Sequence, residues 1–77
     1  MTEAVHNRIA ALRVERGVSR REFADALGVH YQTVGYLERG EYNPSLYLAL
    51  RIAEFFEVSV DVVFSITPFP RETAQSA

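Results

Sequence analysis

Between Ser19 and Gly40 the apolar positions fall into two helical runs separated by one glycine. Phe23, Ala24 and Leu27 recur at helical spacing before Gly28, and Val34 and Leu37 do so after it. Ser19 followed by Glu22 is a capping-box pattern, so a helix is expected to open at Arg20. Gly28 supplies the left-handed residue that stops it. A second helix begins near His30 or Tyr31 and is closed by Gly40. Two short helices and a tight turn, over residues 20–39, thus form the centre of the chain.

The same periodicity organises the flanks. A first helix is expected over Val5 to Arg16, with Val5, Ile9 and Leu12 turned inward and Gly17 closing it. Arg13 lies one residue from that stripe, which makes it a partly buried charge in need of a partner. Asn43 before Pro44 is pushed out of helical geometry, and Asn43 or Ser45 can cap a fourth helix over Leu46 to Phe56. The apolar residues of that helix cover more than half its circumference, with Leu48 and Phe55 at one edge of the arc. They are the positions expected to meet something outside the globule. A fifth helix follows the capping Ser59 and runs to Phe64, with Val60 and Val63 as core candidates. Phe64 to Thr67 alternates apolar and polar residues and reads as a short extended segment. Residues 1–4 read as frayed, and the polar, proline-broken stretch from Phe69 to Ala77 as disordered.

Projecting the helix after the turn places Val34 and Leu37 on one side and Gln32, Tyr36 and Arg39 on the other, with Tyr31 at the margin. The outer side carries an amide able to pair with an adenine edge, a phenol, and a guanidinium suited to phosphate or guanine. Ordinary solvated residues on an amphipathic helix would look the same, so the turn before it is what separates the readings. Gly35 has two readings as well. Glycine inside a helix costs about 1 kcal/mol relative to alanine, which close approach to a ligand or simple tolerance in a short helix could explain.

With these residues in view, Ser19 to Gly40 resembles the helix-turn-helix of the phage repressor and Cro family, also called the XRE family. The resemblance is carried by Ala24, Gly28, Val34, Leu37, Glu38 and Gly40, joined to Asn43-Pro44-Ser45, and by Arg8 to Arg13 with Arg16-Gly17-Val18-Ser19. It implies an all-α, five-helix lambda-repressor-like DNA-binding domain over residues 5–64, with a short C-terminal extended segment in a 65–77 extension. It also implies a role as a sequence-specific transcriptional regulator, a repressor, with the helix over 31–39 in the major groove of double-stranded DNA. Matched residue by residue, Tyr31, Gln32 and Tyr36 fall at base-reading positions. Thr33 and Arg39 fall at backbone positions, as does Arg20, which stands where many members have a glutamine; Arg21 sits beside it at the helix N-terminus, whose free N–H groups face the DNA backbone. Arg13 and Glu38 match a structural ion pair.

Composition narrows the alternatives. Seventy-seven residues allow one domain with a small core. No cysteine is present, and His6 and His30 lack the spacing of a metal pair, so neither a metal nor a cofactor is expected. No nucleophile, base and orienter can be assembled, which argues against an enzyme. No apolar run approaches a membrane span and no leader is evident, so a cytoplasmic protein without a membrane or small-molecule partner is expected. The formal charge of −2 speaks against nucleic acid globally, but residues 8–39 hold six arginines against four acids, while residues 40–77 hold two against five. The positive half is the one with the helix-turn-helix.

The wide apolar face of the fourth helix, the alternating segment and the small core together lead to an expected homodimer, with Leu48, Phe55, Phe64 and Ile66 as its contact residues. The extended segments would pair across a two-fold axis, or fold back on the fourth helix of the same chain. A different class of function keeps the fold and loses the DNA: a protein-interaction module or antitoxin-like subunit, favoured by the negative charge and the two exposed tyrosines.

Overall fold

The computed structural model describes residues 5–70; the start read as frayed and most of the tail read as disordered lie outside them. The elements are β1 (His6–Asn7), α1 (Ile9–Glu15), α2 (Arg20–Leu27), α3 (Tyr31–Glu38), α4 (Leu46–Phe56), α5 (Val60–Val63) and β2 (Phe64–Ser65). The described chain is therefore mostly helical, with one short two-stranded sheet. No helix among the described residues is long and apolar enough to cross a membrane.

The central pair forms as its signals dictate. At the start of α2, Ser19 Oγ accepts from the Glu22 amide at 3.0 Å and Glu22 Oε1 accepts from the Ser19 amide at 2.9 Å. Gly28 ends the helix at φ +74°, a conformation that costs an L side chain about 1–2 kcal/mol. His30 then caps α3 with its ring, Nδ1 accepting from the Gln32 amide at 3.1 Å. Ser45, rather than Asn43, caps α4 through the Leu48 amide at 3.1 Å. Ser59 holds the corresponding place before α5, but its hydroxyl donates to Asp61 at 2.6 Å instead of capping.

The first and third helices end one residue earlier than expected, at Glu15 and Glu38, and two further boundaries differ for a reason seen in the pairing of the chain ends. The first helix starts at Ile9, not Val5, because Asn7 Oδ1 takes the Ile9 amide at 3.0 Å and the backbone before it is extended. That extended piece pairs antiparallel with β2, His6 opposite Ser65 and Asn7 opposite Phe64. The pairing also ends α5 at Val63, one residue early, and the Arg8 amide continues it onto the Val63 carbonyl at 2.9 Å. The alternating segment is thus extended as expected over Phe64–Ser65, and its partner strand lies at the other end of the same chain.

The core is built from Ile9, Leu12, Phe23, Ala24, Leu27, Val34, Leu37, Ile52, Ala53, Phe56 and Val63. At its centre Phe23 of α2 meets both Phe55 and Phe56 of α4, with ring centroids 5.1 and 5.3 Å apart. Phe55 therefore turns inward, contrary to its expected outward role. A helix wheel drawn around one core direction misses this, since α4 packs on α2 along one edge and on α5 along another. Leu48 and Phe64 are likewise half-buried against the core, whereas Ile66 is 83% exposed. The apolar surplus of α4 surfaces elsewhere, at Leu46, Tyr47 and Leu50. Phe69, expected to be disordered, lies half-buried beneath the Arg8 guanidinium, 5.4 Å from its ring centre.

Candidate nucleic-acid interface

The outer face of α3 follows from its inner one. Val34 and Leu37 are fully buried, which turns Gln32, Tyr36 and Arg39 to solvent, with Tyr31 beside them and Thr33 half-buried. Tyr31, Gln32, Tyr36 and Arg39, together with Arg20 and Gly35, border a shallow concavity of about 300 Å3; Thr33 is not part of its lining. Tyr31, Gln32 and Tyr36, the residues assigned to base reading, are therefore gathered on one open surface. Gln32 makes no side-chain hydrogen bond among the described residues, so its amide is free to pair.

Cations surround this surface. Arg21 stacks its guanidinium on the Tyr31 ring at 5.0 Å, and Arg39 stacks on Tyr36 at 5.2 Å. Such contacts orient a guanidinium without removing its donors. Arg39 also meets Glu41 at 3.2 Å, but both side chains are more than half exposed, so water competes with this pair. Gly35 is shaped by the same arginine. A Cβ there would sit 3.2 Å from a terminal nitrogen of Arg39, the far end of a flexible chain.

Behind the surface lies a buried anchor. Arg13 Nε donates to Glu38 Oε2 at 2.7 Å, and Arg13 Nη1 donates to the Val18 carbonyl at 2.9 Å. The structure thus brings together the two residues matched as an ion pair, with side chains 12% and 4% exposed. It adds a partner the sequence did not suggest. Arg20 Nε donates to the other oxygen, Oε1, at 2.9 Å, so one carboxylate joins α1, the start of α2 and the end of α3. That hydrogen bond, and next the charge of Glu38, hold the Arg20 pKa above its ordinary value. A second residue missed by the sequence reading is Asn7, whose amide donates to the Leu37 carbonyl at 2.8 Å and ties β1 to the end of α3. Its signal was available, an asparagine just ahead of a periodic run.

The comparisons agree with this architecture. The family model described as helix-turn-helix matches residues 9–63. An uncharacterised HTH-type transcriptional regulator of Bacillus subtilis is 40% identical over 58 residues, covering 75% of this chain and 88% of that protein. One from Archaeoglobus fulgidus is 38% identical over 60 residues, covering 78% and 86%. Among solved structures, the restriction-modification controller protein C.AhdI of Aeromonas hydrophila superposes with a TM-score of 0.66 at 31% identity, over 71% of this chain and 83% of that one. A protein of Bacteroides fragilis of known crystal structure shares the fold with a TM-score of 0.73 at 23% identity, over 79% of this chain and 98% of that one. With its helix-turn-helix matched across most of its length, this chain belongs to the XRE family of helix-turn-helix transcriptional regulators, a family of DNA-binding proteins rather than of enzymes.

Proposed function

We propose that the protein is a cytoplasmic, sequence-specific repressor that binds double-stranded DNA as a homodimer, with α3 in the major groove. The observation that carries this reading is the open face of α3, where Gln32, Tyr31 and Tyr36 stand together on a rigid helix with arginines at its borders. In this account Gln32 pairs with a base edge, the two tyrosines contact bases beside it, and Arg20, Arg21, Thr33 and Arg39 bind the phosphates that set the register. Arg13 and Glu38 serve as the structural pair that holds α1 against α3. A controller protein among the related structures is in keeping with a regulatory role.

The second copy would be met by the C-terminal half. Of the residues assigned to it from sequence, Ile66 is open to a partner, while Leu48, Phe55 and Phe64 contribute from beneath as half-buried support. Leu46, Tyr47 and Leu50 supply exposed apolar area on α4. A two-fold arrangement would set two α3 helices about 34 Å apart on a roughly palindromic site.

The test is a gel shift of the full chain on the DNA upstream of its own reading frame and on a random duplex of equal length. Tighter binding to the upstream DNA is the expected result. No shift of either duplex at tens of micromolar protein, on the order of weak non-specific affinity, would favour the protein-interaction reading.

A further inference from the structure

Arg20 stands between a buried carboxylate and the open groove. Its Nε donates to Glu38 Oε1 at 2.9 Å, while the other oxygen of that carboxylate accepts from Arg13 at 2.7 Å. Nε is the nitrogen that meets the carboxylate, and Tyr31 also lies against the guanidinium on the groove side and favours its charged form. The Arg20 side chain is 48% exposed and lines the concavity shared with Tyr31, Gln32, Tyr36 and Arg39. Two arginines thus share one carboxylate, and the surplus positive charge lies on the side facing the groove. A phosphate oxygen placed there completes an alternating series of cation, anion, cation and anion.

We infer that Glu38 is a positioning residue for DNA binding that acts through Arg20, holding the guanidinium by Nε while its terminal nitrogens take a backbone phosphate. This rests on the DNA-binding reading above and assigns Glu38 a second role beside its pairing with Arg13. A guanidinium serves both partners at once because its donors form a rigid planar fork. An ammonium at the same place keeps the charge but is a point donor, free to turn to either partner. Holding the side chain before DNA arrives also reduces the freedom lost on binding. Arg21 provides the contrast. It stacks on Tyr31, and no carboxylate lies within ion-pair distance of it among the described residues.

The experiment is fluorescence anisotropy of the full chain on a labelled duplex carrying its preferred site, over a range of salt concentrations, with thermal melting of each variant alongside. Arg20→Lys should bind about tenfold more weakly at an unchanged salt slope, whereas Arg21→Lys, which gives up only a guanidinium stack on an exposed ring, should lose no more than about threefold. Arg20→Gln should lower the salt slope by about one unit. Glu38→Gln should weaken binding about tenfold in the Arg20 chain and add nothing in the Arg20→Gln chain, the coupling expected of a residue that acts through another. If Glu38→Gln does not fold, the two lysine variants carry the comparison. An unchanged slope in Arg20→Gln, or Arg20→Lys as mild as Arg21→Lys, overturns the inference while leaving DNA binding intact. Absence of binding by the unsubstituted chain at every salt concentration overturns the DNA-binding reading itself, and this inference with it.

Discussion

Two backbone positions separate stability from function at the scale of single residues. Glu57 closes α4 at φ +61°, the only non-glycine residue with positive φ among those described. Its amide and that of Val58 are bonded back to α4 at 3.0 and 3.1 Å, so the turn keeps its geometry and the side chain bears the strain. Glu57→Gly is expected to raise stability by about 1 kcal/mol, the left-handed strain less part of the entropy of a freer unfolded chain. Urea unfolding would register this as a higher midpoint at unchanged slope. Gly35 behaves in the opposite way. Its φ is ordinary, and the atom a new Cβ would crowd is the mobile tip of Arg39. Gly35→Ala should therefore leave the fold as stable or up to about 1 kcal/mol more so. If the groove above Gly35 takes DNA, the same variant should bind at least about tenfold more weakly, on the order of a lost close contact. An alanine variant that binds normally would make Gly35 merely tolerated.

At the scale of elements, α1, α2 and α3 are joined by one carboxylate as well as by the core. Glu38→Gln leaves Arg13, whose side chain is 12% exposed, without its counter-charge. The expected cost is about 3–5 kcal/mol, which a domain this small would show as a large drop in melting temperature or as failure to fold. A melting temperature equal to that of the unsubstituted chain would mean that solvent already screens the pair. What could be read from sequence at this scale divides by range. Ser19 with Glu22, and Gly28, act on the backbone within a few residues, so α2 was legible to its last residue. The start of α1 was not, because Asn7 is fixed by Leu37 and Phe64, thirty and more residues away. Periodicity carries no record of such a partner. The Glu38 pair with Arg13 was legible through family resemblance, whereas Arg20 replaces the residue usual at its position and its bond to Glu38 had no precedent to carry over.

For the whole molecule, the question is whether α4 and the segment after β2 meet a second copy, as proposed. The sequence showed correctly that α4 is apolar over most of its surface, but not which part the core takes. Phe55 is claimed by Phe23 and Phe56, and the exposed remainder is Leu46, Tyr47 and Leu50, with Ile66 beyond β2. Sedimentation equilibrium should give a dimer for the intact chain at tens of micromolar, on the order of concentrations where weak association appears. Ile66→Ser with Leu46→Ser should shift it toward monomer without lowering the melting temperature of the monomer. A monomer at all concentrations would contradict the two-fold arrangement and, with it, a palindromic site.

The central claim is that α3 reads DNA sequence through its outer face, and Gln32 gives the most direct test. Its side chain is exposed and free of hydrogen bonds among the described residues, so Gln32→Ala should leave the fold unchanged. The measurement is the dissociation constant of this variant and of the unsubstituted chain on a site selected from random duplex and on unrelated DNA, at one salt concentration. The account predicts a loss of about 1–3 kcal/mol on the selected site and much less on unrelated DNA. An equal loss on both, or none on either, would contradict it.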